Sequence, residues 1–397
     1  MKFYQRGKVF LNYLLDRAID LSDAFLADVY RLPWPALQSL IHKTARLAGD
    51  VCWFLRDLPR LPVYKLSGPR WVVIFVGNEH GLLEVTHLFF PDEEVERQEI
   101  GRVALWKLQA GVRQWLADGA DLVICELSNV YPWRLKAPLA LAVPTWVRQI
   151  VAIPEPVEAL IAGRKMHGTR HRIARATRDG FHYRFSQSLE DFDHFYHRMY
   201  LPFIKSRHNH LALVTPYERL RQKWFARGGL LLVTRHDVPV AASICYLSDN
   251  TCYSIEGGVL DADEQLFQQG VNVLFDWYTV KWGRERGATV YDMGGSRGWR
   301  SSGPFAYKST WRTTVVRLSS VYSNWHVLGQ SLSPALREHL NRIGFVGEIG
   351  GKFYGALFGD EAGQIGEQEL QRELAETQRQ GLAGLAVLSP DRLTIQV

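Results

Sequence analysis

Tyr291-Asp292-Met293-Gly294-Gly295-Ser296-Arg297-Gly298 is the centre of the stretch, Leu230 to Trp311, that decides the fold. Upstream lie three apolar runs, Leu230 to Thr234, Val240 to Leu247 and Thr251 to Val259. Their separators, His236-Asp237-Val238-Pro239 and Ser248-Asp249-Asn250, are short and rich in turn formers, so the runs read as an antiparallel meander. A polar connection, Leu260 to Gln265, leads to a helix expected from about Gly270 to Arg286. Val271, Leu274, Trp277, Tyr278 and the stem of Lys281 fall at helical spacing. Gly287 suits the position just past the helix end, and Arg284 and Arg286 suit its last turn. Ala288 to Met293 then returns as a strand. A meander joined through a helix to a parallel strand leaves a phosphate-sized site at the helix N-terminus, around Gln268, Gln269, Gly270 and Val271. Gly270 lets backbone approach a phosphate that a side chain would obstruct.

Working outward, the segment from Arg164 to Arg184 holds seven Arg or Lys against the single acid Asp179. It reads either as a solvated helix face or as a docking surface for phosphate on a carrier, a lipid-linked substrate, RNA or an anionic bilayer. Residues 186 to 229 contain two helices. Ser188 with Asp191 resembles a capping box, Phe192, Phe195, Tyr196 and Met199 line the apolar side, and Pro202 ends or kinks the helix. Arg207-His208-Asn209-His210 follows as a polar loop. Beyond the central stretch, Trp311 to Val321 reads as a terminal strand. Residues 333 to 358 read as a helix pair around Gly350-Gly351, and Glu367 to Gln380 as a polar helix.

Toward the other end, residues 1 to about 60 are helical in pattern and rich in aromatics. They pack on the rest of the chain or meet a membrane surface or partner. Residues 70 to about 150 look like a smaller α/β unit. Trp71 to Val76 and Leu83 to Phe90 are apolar runs, a helix is expected from about Glu99 to Ala117, and Asp121 to Glu126 is a short strand. Prolines multiply from Pro132 to Pro156, as in a connecting segment over the surface. The expected division is 1–65 (helical), 66–155 (a smaller unit), 156–325 (the catalytic unit) and 326–397 (a helical extension).

The 397 residues suffice for two cores, and 47% apolar with 22% charged content is that of a globular chain. Net charge is +6. Cys52, Cys125, Cys245 and Cys252 have no metal-site spacing; buried free thiols are favoured over a Cys245–Cys252 disulfide, and a cytoplasmic setting fits. Asp16, Arg17, Asp20 and Asp23 interrupt any signal-like run, and no apolar stretch approaches the roughly 20 residues that span a bilayer. Contact with a membrane is expected to be peripheral at most, on its inner face through residues 1–60.

The run from Ala162 to Trp311 resembles the GNAT superfamily of acyltransferases, more narrowly the FemAB-like branch and the acetyltransferase domain associated with exopolysaccharide genes. The matching pieces are Arg170-His171-Arg172-Ile173-Ala174-Arg175 before Asp179-Gly180-Phe181, the meander, Gln269 to Leu274, Tyr291-Asp292-Met293-Gly294 and Phe305-Ala306-Tyr307-Lys308. The resemblance implies an α/β (α+β) fold: a mixed, mostly antiparallel sheet flanked by helices, with residues 66–155 as a second, degenerate GNAT-like unit. It implies transfer of an acyl group from a thioester, acyl-CoA or acyl-carrier protein, to an amine or hydroxyl, with no metal. The acceptor it implies is a sugar or a cell-envelope or exopolysaccharide precursor. The usual GNAT pyrophosphate signature is absent, which keeps an acyl-carrier protein or an aminoacyl-tRNA in play as donor, the latter with a peptidoglycan precursor. A non-catalytic scaffold of a polysaccharide-synthesis complex is the third reading.

Glu256, beside Gly257-Gly258 in the third meander strand, suits a general base or a surface carboxylate. Asp292 orients the acceptor or holds the Gly294-Gly295 turn. Lys308 resembles the family lysine that steadies developing negative charge, and the Tyr307 hydroxyl is a proton donor. Gln268, Gln269, Gly270 and Val271 are the donor-binding candidates. Arg170, Arg172, His208, His210, Arg297, Trp299 and Arg300 are the substrate-binding candidates, with Trp299 as a stacking face.

Overall fold

The computed structural model describes residues 60–128, 131, 134–208, 214–318, 323–360, 365–390 and 392–397. The helices expected within residues 1–59, and Cys52, lie outside them. The chain divides into two compact units, one of residues 1–147, 296–307 and 315–397, the other of residues 148–295 and 308–314. The fold is mixed α/β, as expected, with sheets flanked by helices.

In the second unit the meander forms as read: Gly229–Arg235, Val238–Ser248 and Thr251–Val259 pair antiparallel in sequence order. Asp237 and Asp249 take positive φ in the two tight turns, a conformation aspartate tolerates better than most residues. Phe181–Ser186 adds to the outside of the first meander strand. The crossover helix is Val271–Glu285, with Gly287 at φ +87 just past its end. Its strand, Val290–Arg297, lies parallel to Thr251–Val259.

The helix expected after Ser188 starts there, the Ser188 hydroxyl accepting from the Asp191 amide. Pro202 does not end it. Leu189–His194 passes into a π-helical turn, Phe195–Tyr200, and continues as Leu201–His208. The widened turn sits immediately before the proline, whose ring and missing N–H an unbroken α-helix would not accept. This turn lies on the third meander strand at Gly258. A Cβ there would come within 2.4 Å of the Met199 carbonyl carbon and 2.5 Å of the Tyr200 nitrogen. Backbone cannot yield as a side chain can, so Gly258→Ala is expected to cost about 2–3 kcal/mol, read as a lower urea midpoint at unchanged slope. The core beneath is Phe192, Phe195, Met199, Leu230, Leu232 and Ile244 with their neighbours.

The first unit holds a six-stranded sheet in the order Glu96–Val103, Leu61–Ser67, Val72–Val76, Leu122–Ser128, Ser323–Gly329 and Leu139–Pro144. Several expectations are corrected here. Leu83 to Phe90 belongs to a helix, Glu79–Phe89, because Asn78 caps it by accepting from the Gly81 amide. The helix expected from Glu99 begins at Leu108. Glu96–Val103 is instead an exposed edge strand, its charges facing solvent and discouraging further pairing. The segment expected to cross the surface contains two strands with buried alternate residues, Leu139–Pro144 and Trp146–Ala152. Of the strand expected from Trp311 to Val321, the described residues form Thr314–Arg317.

The extension expected to be helical over 326–397 holds strands as well as helices. Helix Pro334–Ile343 ends at Gly344, and the hairpin Val346–Ile349 and Lys352–Phe358 replaces the second helix of the expected pair. Gly350 and Gly351 both have positive φ, the requirement of a two-residue hairpin turn. Helix Glu367–Arg379 forms close to expectation. Leu385–Ser389 and Arg392–Gln396 then complete a four-stranded sheet.

Candidate active site

The parallel ladder between the third meander strand and the crossover strand covers three residue pairs, Thr251–Val290, Cys252–Tyr291 and Tyr253–Asp292, and stops. On the meander side the register with Val238–Ser248 also breaks between Ser254 and Gly257, so Ile255 and Glu256 fall in a bulge. On the crossover side the chain turns at Gly294, where φ is +78. Two neighbouring strands thus part at one level, each carrying an acidic residue.

Glu256 is half-buried, and its Oε1 accepts a 3.4 Å hydrogen bond from the Thr215 hydroxyl. The Thr215 amide in turn donates to the Tyr200 hydroxyl at 2.9 Å, tying the site to the π-helical turn. Burial pushes the Glu256 carboxyl up to about 7, and the Thr215 bond only partly opposes it. A carboxylate balanced near neutrality can take a proton and release it.

Asp292 is 2% exposed. Its Oδ1 accepts from the Gly294 amide at 2.8 Å, which is the turn-holding role, and its Oδ2 lies 3.1 Å from the Arg148 Nε. Burial raises its pKa, while Arg148, the Gly294 amide and Lys308 oppose the rise. Lys308 comes from the helix Gly303–Ser309, and its ammonium donates to the Gly295 carbonyl at 2.6 Å. A Cβ on Gly294 would lie 4.0 Å from that ammonium and 3.7 Å from the Ser254 carbonyl. Burial brings the Lys308 pKa down to about 8, with Asp276 and Asp292 holding it up. Asp276 itself is buried in the crossover helix, accepting from the Tyr291 hydroxyl at 2.6 Å. Tyr307 precedes Lys308 in its helix and is half-buried.

At the N-terminal end of the crossover helix, Gly270 takes φ +89 and stands as the N-cap. Gln268 is exposed, Gln269 half-buried with its Oε1 lacking a partner, and Val271 buried in the first turn. The helix His167–Arg178 runs beside this start: Arg172 methylenes lie 3.6–3.9 Å from a Cβ placed on Gly270. The first turn, its positive dipole end and an arginine therefore meet, an arrangement suited to a phosphate.

The other substrate-binding candidates separate. Arg170, exposed, donates to the Ile161 carbonyl at 3.2 Å. His210 and the His208 side chain lie outside the described residues. Arg297, Trp299 and Arg300 belong to the first unit. There Arg297 lies 4.1 Å over the Trp146 ring, pairs with Glu84, and is 3.2 Å from His80 Nε2. Trp299 is a core residue stacked on Trp325, and Arg300 is 9% exposed and bonded to Glu373. Thr215, Tyr200 and Arg148 are the contributors that sequence reasoning missed. Cys125, Cys245 and Cys252 are buried free thiols.

Residues 163–309 match the family model for the acetyltransferase (GNAT) domain. The matched stretch, under half of the chain, begins at the glycine before the basic helix and ends one residue after Lys308. Among solved structures, the chain is similar to L-PGS from Bacillus licheniformis at 14% identity, covering 75% of this chain and 92% of that one with a TM-score of 0.34. FemX is matched at 12% identity over 66% and 83%, with a TM-score of 0.36. A GCN5-related N-acetyltransferase from Sphaerobacter thermophilus is matched at 12% identity over 67% and 76%, with a TM-score of 0.28. No curated protein matches the chain. Among the described residues, no helix is long and apolar enough to cross a membrane.

Proposed function

We propose that the chain transfers an acyl group from a thioester to an amine or hydroxyl at the point where the two parallel strands part. The observation that carries this reading is the parting of the two parallel strands beyond Tyr253–Asp292, with Glu256 in the bulge of one and, on the other, Asp292 on the Gly294 amide and the Lys308 ammonium on the Gly295 carbonyl. The acceptor nitrogen or oxygen attacks the thioester carbonyl carbon, and its proton passes to Glu256. Negative charge gathers on the carbonyl oxygen, where the Lys308 ammonium steadies it. Collapse breaks the carbon–sulfur bond, the thiolate leaves, and solvent protonates it. The phosphate-bearing arm of the donor rests on the start of Val271–Glu285 beside Arg172. A sugar or envelope precursor at the cytoplasmic face of the membrane is the acceptor class that the FemAB-like motifs favour.

Thermal-shift titration with acetyl-CoA, longer acyl-CoAs and loaded acyl-carrier protein tests donor binding. A donor present at 100 times its Kd raises stability by about 2.7 kcal/mol. Gly270→Glu, which puts a carboxylate at the phosphate position, is expected to abolish that shift; its unliganded melting curve and circular dichroism show separately whether the strained substitution folds. An unchanged shift in folded Gly270→Glu protein would remove the phosphate site from this helix.

A further inference from the structure

The outer face of the helix His167–Arg178 carries more positive charge, over a longer line, than the phosphates of a small donor use. Arg164, Lys165, Arg172, Arg175 and Arg178 are all exposed. Arg312 reaches the start of the row, donating to the Ala162 carbonyl at 2.8 Å. The one acid within the segment, Asp179, is 3.6 Å from Arg175. Among the described residues no carboxylate pairs with Arg164, Lys165, Arg172 or Arg178. Arg172, Arg175 and Arg178 recur at a spacing of three, where like charges repel by a few tenths of a kcal/mol per pair. That repulsion is relieved when an anionic partner is bound.

We infer that this face docks an acidic acyl-carrier protein, which presents the thioester on its phosphopantetheine arm to the start of Val271–Glu285. This rests on the acyl-transfer reading above. Twelve helical residues extend about 18 Å, the length of one acidic helix on a small partner. Only Arg172 lies against Gly270. Arg175 and Arg178 stand roughly one and two turns farther along the axis, positioned for the carrier body rather than for its arm. The apolar residues of the helix, Ile173 and Ala176, are turned inward, and no large apolar side chain is exposed on it. A bilayer would meet charge with no apolar face to insert. A single strand of nucleic acid would find no exposed Trp, Tyr or Phe on this helix to stack on, and His167 and His171 stack on each other at 6.5 Å.

The test uses the full chain and a fluorescently labelled, acylated bacterial acyl-carrier protein, with anisotropy read at low and high salt. Binding is expected, weakening at least tenfold as salt rises and at least tenfold in Lys165→Glu/Arg178→Glu, whose fold is checked by circular dichroism. In turnover, the ratio of kcat/KM for carrier-borne over CoA-borne acyl groups is expected to fall at least tenfold in the same variant, through KM. No carrier binding at low salt, or equal binding by the variant, overturns the docking. Tighter binding of tRNA or of phosphatidylglycerol vesicles, lost in the same variant, overturns it in favour of that partner. Carrier binding that is lost in the variant, without transfer from either donor, supports the docking and overturns the acyl-transfer reading instead.

Discussion

Glu256→Gln is expected to lower acyl transfer by about 10²–10⁴-fold while making the protein more stable in alkaline solution. The amide keeps the shape of the side chain and its contact with Thr215 but cannot take a proton from the acceptor. The stability effect follows from the same burial. The carboxyl titrates near 7 in the folded chain and at about 4.5 when exposed, so the folded state binds the proton more tightly. Below about 4.5 both states are protonated and the group costs nothing. As pH rises from 4.5 through 7, the unfolded state ionises freely and the folded state loses relative stability, to about 3 kcal/mol above pH 7. Glutamine removes that loss. Melting curves at pH 8.5 and pH 4.5 check it: the variant gains at the first and matches the wild type at the second.

Lys308→Ala is expected to lower turnover by about 10²–10³-fold, the scale of losing one preorganised stabiliser of an oxyanion. At pH 7 the ammonium, titrating near 8, is mostly charged; above pH 8 it is mostly neutral. Wild-type kcat/KM should therefore rise through about 7 as Glu256 ionises and fall through about 8 as Lys308 loses its proton. Glu256→Gln removes the acid limb and Lys308→Ala the alkaline one. Lys308→Arg should not restore the rate, because the planar guanidinium cannot reproduce a point charge 2.6 Å from the Gly295 carbonyl.

The sequence disclosed most where turn chemistry punctuates apolar runs. Asp237 and Asp249 mark the meander, and Gly270 and Gly287 bracket the crossover helix within a residue or two of its observed ends. It misled where one residue type serves two structures. Leu83 to Phe90 reads as a separate apolar run, yet most of it lies in the helix Glu79–Phe89, capped by Asn78, whose side-chain oxygen accepts from the Gly81 amide. Gly350-Gly351 reads as a break between helices, yet two successive positive φ angles specify a hairpin. Proline density between Pro132 and Pro156 concealed two strands that tolerate prolines at their ends and outside them.

Within the candidate site, Glu256, Asp292 and Gly270 were legible because they stand at fixed points of the strand–helix–strand order, whereas Lys308, in the later helix Gly303–Ser309, follows from the family resemblance alone. Thr215, Tyr200 and Arg148 were not legible. They reach the site through a π-helical turn and through the strand Trp146–Ala152, and nothing local in sequence ties either to the meander. Trp299 shows the opposite failure: an aromatic between two arginines resembles a stacking platform, but its ring is used in the core against Trp325.

Free-thiol release from an acyl thioester, measured with and without a panel of amine and hydroxyl acceptors in wild type and Lys308→Ala, tests the central claim most directly. Acceptor-dependent release by the wild type, reduced about 100-fold or more in a folded Lys308→Ala variant, is the predicted result. Release that is equal in the two proteins, or absent with every thioester offered to folded wild-type protein, would contradict it.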